Sequence, residues 1–217
     1  MAGKCIIIGA GDLTIGKFDV GEEDFVIAAD GGLAYCGLLE IEPDLILGDF
    51  DSVGEAEQQA ISILEKEIPE RIIRLKPEKD DTDMMAAIRI GLDKGYRDFR
   101  ILAGTGGRFD HTLANIQTLL FLKRHDACGY LIDGSGMMLV IENEEVRFQK
   151  NLEGYLSCFS LCEKSEGVTM KGLKYTLQDA TITNDYPIGI SNEFIDEEAV
   201  ISVEQGQLLL ILQYVTD

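Results

Sequence analysis

Short apolar runs that end in Gly or Asp recur through the first 135 residues, and helical patterns separate several of them. The apolar runs are KCIII, FVIAAD, DLILGD, RIIRL, FRILAG and GYLID, and the main amphipathic stretches are Glu55–Glu67, Met84–Lys94 and Leu113–Arg124. Because strands that alternate with helices form parallel sheets covered by those helices, the pattern predicts an α/β sheet. The strands are almost wholly apolar, as expected when both faces of a sheet are buried.

The helical period disappears after residue 135, where about eight short runs follow one another between Gly, Asn or Asp turns. Several runs alternate polar and apolar residues, which is typical of half-buried antiparallel strands. This half therefore reads as a small β-sandwich or barrel-like domain. We predict an N-terminal parallel-sheet α/β (Rossmann-like) domain over residues 1–135 and a C-terminal antiparallel β-sandwich over residues 136–217.

Composition and charge narrow the class of protein. The 217 residues are 46% hydrophobic, and 19 basic residues against 39 acidic ones give a formal charge of −20. That charge disfavours nucleic acid as a partner, because such binding depends on clustered Lys and Arg. No run approaches the roughly 18 apolar residues of a membrane span. The five cysteines form no CxxC pair and no export signal is seen, so we expect reduced, buried thiols in a cytoplasmic protein.

Seven aspartates lie in four turns that each follow an apolar strand: Asp30; Asp49 and Asp51 in GDFDS (48–52); Asp80, Asp81 and Asp83 in KDDTD (79–83); and Asp110 in GTGGRFDH (104–111). The carboxyl ends of parallel strands meet at one edge of a sheet, which is where ligands bind in open α/β folds. The order of the turns therefore predicts that these acids gather at one place.

Converging carboxylates repel one another unless a cation lies between them, and Mg²⁺ binds carboxylates, water and substrate phosphates. Glycines at 104, 106 and 107 would let backbone N–H groups face an anion before the next helix, and Arg108 and Lys79 are candidate phosphate cations. Taken singly, Asp81 and Asp110 are equally well explained as helix caps, and Asp30-Gly-Gly as an ordinary turn. The four turns together favour a metal–nucleotide site. His111 either orients a neighbour or packs.

Six short motifs, in order along both halves of the chain, resemble those of the thiamine pyrophosphokinase family: AADGG (28–32), GDFDS (48–52), KDDTD (79–83), GGRFDH (106–111), GLKY (172–175) and SNEF (191–194). GDFDS and GGRFDH together are the specific part of the resemblance. It implies transfer of the pyrophosphoryl group of Mg-ATP to the hydroxyl of thiamine, giving thiamine diphosphate and AMP. It also implies ATP and Mg²⁺ binding by the α/β domain, thiamine binding by the β-sandwich, and a homodimer with active sites near the subunit interface.

The resemblance also assigns roles to residues. Asp49, Asp51, Asp83 and Asp110 are the predicted catalytic residues, and the first three are also the predicted metal ligands. The predicted ATP site comprises Asp30, Gly31, Lys79, Asp80, Thr82, Gly104, Thr105, Gly106, Gly107 and Arg108. Ser191 and Asn192 would contact thiamine. Either Asp51 or Asp83 could accept the proton of the alcohol. Because the chain has no Trp, an aromatic platform for thiamine would come from Phe194, Tyr175 or Phe109.

Two other functions stay open at this stage. A Mg²⁺-dependent phosphohydrolase or nucleotidyl transferase would use the same acids with water or another alcohol, but it leaves GLKY and SNEF unexplained. A non-catalytic nucleotide sensor would tolerate the loss of one acid of GDFDS, yet both acids are present.

Overall fold

The computed structural model describes residues 3–50, 54–76 and 81–215. The chain divides into two units, Met1–Gly134 and Ser135–Asp217. The first contains parallel strands and helices, and the second contains antiparallel strands. The predicted fold class, α/β followed by an antiparallel β domain, is therefore confirmed.

The described part of the first unit contains six parallel strands: β1 (Cys5–Ile8), β2 (Phe25–Ala29), β3 (Leu45–Gly48), β4 (Ile72–Arg74), β5 (Asp98–Leu102) and β6 (Cys128–Asp133). Their order across the sheet is β6-β5-β1-β2-β3-β4. The chain thus runs outward from β1 to β4, then returns to the other side of β1 for β5 and β6. The strand order reverses between the neighbouring strands β1 and β5. Open α/β sheets bind ligands at the carboxyl ends of the strands beside such a point.

Four α-helices are described in this unit: α1 (Gly32–Leu38), α2 (Glu55–Glu67), α3 (Asp83–Asp93) and α4 (Phe109–Lys123), with a short 3-10 helix at Pro69–Arg71. The prediction found α2, α3 and α4, although α4 begins four residues before the predicted Leu113. The prediction missed α1, because its seven residues include two glycines and follow a sequence that favours a turn. None of the helices in the described ranges has the length and apolar character needed to cross a bilayer.

The core of the first unit follows from the position of β1 inside the sheet. All four residues of β1 are fully buried, because strands flank it on both sides. A cluster on one side of the sheet joins Ile6 and Ile8 of β1 to Ile46 of β3, Ile61 of α2 and Phe50. Phe50 therefore connects the turn after β3 directly to the core.

The second unit consists of eight described strands, the number expected from the sequence: β7 (Gly136–Glu142), β8 (Glu145–Phe148), β9 (Tyr155–Ser160), β10 (Lys164–Lys171), β11 (Leu177–Thr183), β12 (Gly189–Glu193), β13 (Ala199–Ser202) and β14 (Gln207–Gln213). They pair antiparallel in the orders β12-β9-β14-β7 and β11-β10-β13-β8. Burial alternates along several strands, as along Tyr155–Ser160, which fits half-buried sheets.

Candidate active site

Three aspartates from different parts of the sequence converge at the carboxyl edge of the first unit's sheet. Asp30 follows β2, Asp49 follows β3, and Asp83 begins α3. One carboxylate oxygen from each lies within 4.8 Å of the other two, and all three residues are half-buried. Of the five predicted aspartates that the structure describes, it therefore brings together three.

These carboxylates form a donor set that suits a divalent cation. Mg²⁺ and similar hard cations prefer carboxylate oxygens, and three oxygens at this spacing can face one ion. Three partly buried negative charges at such short range repel one another strongly. A bound cation would offset that repulsion, so the residues present fit a divalent metal.

The strand ends that carry this site have unusual backbone conformations. Asp30 after β2 has φ 52°, Phe50 beside Asp49 has φ 59°, and Ala103 after β5 has φ 49°. Non-glycine residues in this left-handed region carry a strain of about 1–3 kcal/mol each and persist only where the surrounding structure holds them. Such strain is found preferentially at functional sites, and here it lies at the ends of three strands.

A cleft of about 410 Å³ opens beside Asp30 and Asp83, where the strand order reverses. Segments that follow β1, β2 and β5 line it together with the first turns of α3 and α4. The lining residues are Gly9, Ala10, Gly11, Asp12, Ala29, Asp30, Thr82, Asp83, Met84, Ala103, Gly104, Gly106, Gly107, Arg108, His111, Ala114 and Asn115. The cleft is large enough for a small ligand.

The loop Gly9–Asp12 is a part of the cleft that the sequence analysis missed. The N–H of Gly11 donates to the Ala103 carbonyl at 2.8 Å, and the N–H of Asp12 donates to the Thr105 carbonyl at 2.7 Å. A signal was present, because Gly-Ala-Gly-Asp follows a buried strand as the other site turns do. The predicted turns all preceded helices, whereas this loop leads into a long irregular connection.

The glycine-rich loop 104–107 is held at both ends. The side-chain amide of Asn115 on α4 donates from Nδ2 to the Gly104 carbonyl at 2.7 Å. Gly106 has φ 85°, and a Cβ at that position would lie 2.1 Å from Asp12 Oδ2, so only glycine fits there. Of the predicted ATP-site residues in this loop, Gly104, Gly106 and Gly107 line the cleft, whereas Thr105 does not.

Arg108 and Asp110 form a pair with each other at the start of α4. Arg108 donates from Nε to Asp110 Oδ1 at 3.1 Å and from Nη2 to Oδ2 at 2.6 Å. Hydrogen bonding to Arg108 lowers the pKa of Asp110 from its ordinary value. Arg108 lines the cleft, but Asp110 is not a member of the three-carboxylate cluster. Arg108 therefore contributes to the cleft, whereas Asp110 does not join the carboxylate cluster in which the turn pattern had placed it.

The remaining predicted site residues, including those of KDDTD, differ in whether they are described and whether they line the cleft. Asp51, Lys79 and Asp80 lie outside the described residues. Thr82 lines the cleft and caps α3, since its hydroxyl accepts from the Met85 N–H at 3.2 Å. Asp81 instead pairs with Arg89 at 2.8 Å. Gly31 is not among the cleft residues.

In the second unit, a buried amide joins the two predicted thiamine motifs. Asn192 is 5% exposed, and its Oδ1 accepts from the Tyr175 N–H at 2.9 Å while its Nδ2 donates to the Tyr175 carbonyl at 2.6 Å. Lys174 pairs with Glu193 at 2.7 Å across the same junction. GLKY and SNEF, far apart in sequence, are therefore neighbours in space.

Ser191 and the candidate aromatic platforms have distinct surroundings. Ser191 is exposed, has φ 53°, and donates from its backbone N–H to Ser157 Oγ at 3.0 Å. The ring of Phe194 packs edge-on against Phe148 with centroids 6.1 Å apart. Tyr175 is 62% exposed and Phe109 is 93% exposed. The two exposed rings are the ones accessible to a ligand.

An α/β sheet with clustered carboxylates and glycine-rich turns at its point of strand reversal is typical of enzymes that bind phosphate-bearing ligands with a metal ion. Comparisons with known proteins identify the family within this class of enzymes. Residues 20–130 match the family model described as "Thiamin pyrophosphokinase, catalytic domain", and residues 143–208 match "Thiamin pyrophosphokinase, vitamin B1 binding domain".

Individual proteins that resemble this chain support the same family. A thiamine pyrophosphokinase of Bacillus subtilis (strain 168) is 32% identical over 194 residues, which is 88% of this chain and 87% of the relative. A crystal structure of thiamine pyrophosphokinase from Bacillus subtilis matches with a TM-score of 0.87 and 29% identity, covering 98% of this chain and 100% of the other. One from Geobacillus thermodenitrificans matches with a TM-score of 0.84 and 25% identity, covering 99% of both. This chain belongs to the thiamine pyrophosphokinase family, which confirms the resemblance found in the motifs.

Proposed function

We propose that this chain transfers the pyrophosphoryl group of ATP to the hydroxyl of thiamine, producing thiamine diphosphate and AMP. Membership of the family supports this activity, and one observation of the structure carries it: Asp30, Asp49 and Asp83 converge beside a cleft at the carboxyl edge of the sheet. Phosphoryl-type transfer depends on positioning and on charge stabilisation, and this arrangement can provide both.

The cation at this site is proposed to be Mg²⁺, with Asp49 and Asp83 as described ligands and Asp51 as a further ligand outside the described residues. Asp30 lies within the same cluster and would face the ion or the nucleotide beside it. Once bound, the ion would polarise phosphate oxygens and neutralise their charge. The three carboxylates would fix where that ion lies relative to the cleft.

The triphosphate of ATP is proposed to lie in the cleft of the first unit. The loop 104–107 has no side chain at three of its four positions, and these three glycines line the cleft, so phosphate oxygens can approach its backbone closely. Arg108 would add a positive charge from the start of α4, and Thr82 would line the same cleft. Lys79 and Asp80, which precede Thr82 in the chain, complete this predicted part of the site.

In the reaction, the thiamine hydroxyl oxygen forms a bond to the β-phosphorus of ATP as the bond from that phosphorus to the α-phosphate oxygen breaks. The electron pair of the broken bond leaves on AMP, and the hydroxyl proton passes to a carboxylate. Asp83 and Asp51 are the two candidate bases. Asp83 belongs to the cluster and lines the cleft, which supports it as one of these two candidates.

Thiamine recognition is proposed for the second unit, through Ser191, Asn192 and the exposed ring of Tyr175. Thiamine carries a positive charge, which an aromatic face attracts. The amide of Asn192 holds the backbone of Tyr175 at two points, so Asn192 would shape the thiamine site by fixing this aromatic residue. The net charge of −20 also favours approach of a cation.

The assembly and location of the protein remain predictions. A homodimer with active sites near the subunit interface rests on the family resemblance. A cytoplasmic location rests on five cysteines with no CxxC pair. Measuring the molar mass in solution by light scattering would test the dimer.

The direct test of the function is incubation of the protein with ATP, Mg²⁺ and thiamine, followed by mass detection of all products. We expect thiamine diphosphate and AMP in equal amounts, and neither product when thiamine is omitted. ADP with thiamine monophosphate would indicate transfer of a single phosphoryl group. Nucleotide hydrolysis without thiamine would instead support a phosphohydrolase and contradict the proposal.

A further inference from the structure

Arg74, the last residue of β4, contacts two consecutive residues of the turn that carries Asp49. Its Nη1 donates to the Asp49 carbonyl at 3.3 Å, and its guanidinium carbon lies 5.2 Å from the centre of the Phe50 ring. Glu65 on α2 holds the other side of the guanidinium, at 3.1 Å from Nε and 3.0 Å from Nη2. A single side chain thus connects α2, the end of β4 and the turn after β3.

The turn that Arg74 contacts needs such support. Phe50 has φ 59° although it is a bulky residue, and its side chain is 3% exposed within the core cluster. This conformation points Asp49 toward the carboxylate cluster while the neighbouring ring enters the core. A residue strained in this way relaxes unless contacts hold it. Stacking of the guanidinium on the ring and the hydrogen bond to the adjacent carbonyl both oppose relaxation.

We infer that Arg74 is a positioning residue for Asp49: it holds the turn after β3 in its left-handed conformation and so keeps the Asp49 carboxylate in the metal-binding cluster. This inference rests on the proposed function for its catalytic consequence. Arg74 touches neither the nucleotide nor thiamine in this scheme, and we infer that it acts through its contacts with the Asp49 carbonyl and the Phe50 ring.

Geometry and charge predict opposite effects of removing Arg74. If the residue acts only as a nearby positive charge, its removal lessens repulsion and a cation binds the cluster more tightly. If the residue positions Asp49, its removal weakens cation binding. Lysine separates the two effects further, because it keeps the charge but has neither the planar fork nor the same stacking on an aromatic ring.

Arg71 supplies a matched control at the opposite edge of the sheet. Its Nη1 donates to Glu42 Oε1 at 2.9 Å and its Nη2 donates to the Pro43 carbonyl, just before β3 begins. Arg71 therefore binds one carboxylate and one backbone carbonyl, as Arg74 does. Its contacts lie at the amino end of β3, whereas the metal cluster lies at the carboxyl end.

The experiment measures Mn²⁺ binding to the full chain by electron paramagnetic resonance, with no nucleotide or thiamine present. We expect Arg74→Lys and Arg74→Gln each to weaken Mn²⁺ binding by about 10-fold or more, the usual effect of losing a residue that orients a metal ligand. Arg71→Lys should bind Mn²⁺ as the wild type does. In the assay with ATP, Mg²⁺ and thiamine, kcat should fall for both Arg74 variants while KM for thiamine stays unchanged.

Two results would overturn the inference: wild-type Mn²⁺ affinity in Arg74→Lys, or tighter binding in Arg74→Gln. Arg74 is half exposed, with 52% of its side chain accessible, so both variants are expected to fold, and circular dichroism of each checks this. Because Mn²⁺ binding is read without substrates, the result is independent of whether thiamine is the acceptor. A wild type that binds Mn²⁺ but makes no thiamine diphosphate would contradict the proposed function and leave the role of Arg74 supported.

Discussion

At the scale of single residues, the candidate site depends on short carboxylate side chains from different elements: Asp30 and Asp49 follow strands, and Asp83 begins α3. Asp30, Asp49 and Asp83 present oxygens within 4.8 Å of one another, although 53 positions of sequence separate the first from the last (83 − 30). An aspartate carboxylate lies only one carbon from the backbone, so the backbone at the end of β2, after β3 and at the start of α3 fixes where the oxygens lie. The convergence is therefore a property of the turns as much as of the side chains.

Replacing Asp49 or Asp83 by Asn tests this cluster directly. Either change keeps the shape of the side chain and removes one negative charge, so we expect kcat to fall by about 10²-fold or more, as when one electrostatic contact to a transition state is lost. The unfolding midpoint should stay near that of the wild type. Asp98→Asn is the control, because Asp98 pairs with Arg100 at the amino end of β5. Near-wild-type turnover in both site variants would remove these residues from the mechanism.

Individual side-chain contacts are the part of the site that could not be predicted from the sequence. Parallel topology was enough to predict that aspartates after β2, β3 and β4 would meet. It was not enough to show that Asp110 binds Arg108 or that Asp81 binds Arg89, because both pairs depend on rotamers at the surface. The buried bonds of Asn192 to Tyr175 depend on strands that are adjacent only after folding.

At the scale of elements, the two glycine-containing loops after β1 and β5 depend on each other. Gly106 adopts φ 85° directly against Asp12, and the N–H of Asp12 donates to Thr105. The loop after β1 therefore supports the loop proposed to hold phosphate. A change in either loop should alter nucleotide binding more than it alters the stability of the sheet.

Gly106→Ala tests this dependence. The new Cβ would lie 2.1 Å from Asp12 Oδ2, so one loop must move. We expect kcat/KM for ATP to fall by about 10²-fold, the effect of displacing positioning groups by about 1 Å. Gly95→Ala is the control, because Gly95 has φ 93° with no atom near its Cβ position. That variant should lose about 1–2 kcal/mol of stability but keep the wild-type kcat/KM. Equal kinetic effects in both variants would contradict the idea.

The elements themselves were largely predictable, for a physical reason. Buried parallel strands are continuous apolar runs, and amphipathic helices such as α2 repeat every 3.6 residues, so both patterns are local in the sequence. The helix α1 was missed because its length is only seven residues and packing rather than propensity stabilises it. The first turn of α4 was missed because Phe109, which is 93% exposed, breaks the apolar period.

At the scale of the whole molecule, three thiols are buried in the two cores. Cys5 in the first unit and Cys158 in the second are 0% and 1% exposed, and burial raises the pKa of each to about 12. Burial also raises the pKa of Cys36 to about 11. The ordinary value is 9.0. All five cysteines are unpaired thiols in the structure, but the expectation that all are buried is wrong for Cys128, which is exposed, and for Cys162, which is half-buried.

These shifts predict loss of stability in alkaline solution. In the unfolded chain the thiols lose protons near pH 9.0, whereas the folded chain retains them up to a pH of about 11 to 12. The unfolded state thus binds fewer protons across this window, so the free energy of unfolding is full below it and falls as pH rises. The urea midpoint should therefore drop as the pH rises from about 9 toward about 11 to 12. Cys5→Ala and Cys158→Ala should each flatten this dependence relative to their own baseline, whereas Cys128→Ala, which removes an exposed thiol, should not.

The left-handed residues at the ends of β2, β3 and β5 also affect the order in which activity and fold are lost on warming. Each is held against its own preference by the neighbouring strands, so a sheet that loosens lets the strand tips swing away before the strands separate. Turnover would then fade at temperatures where circular dichroism still reports an intact fold. We therefore expect activity to be lost below the melting point, which turnover and circular dichroism recorded over the same temperatures would check.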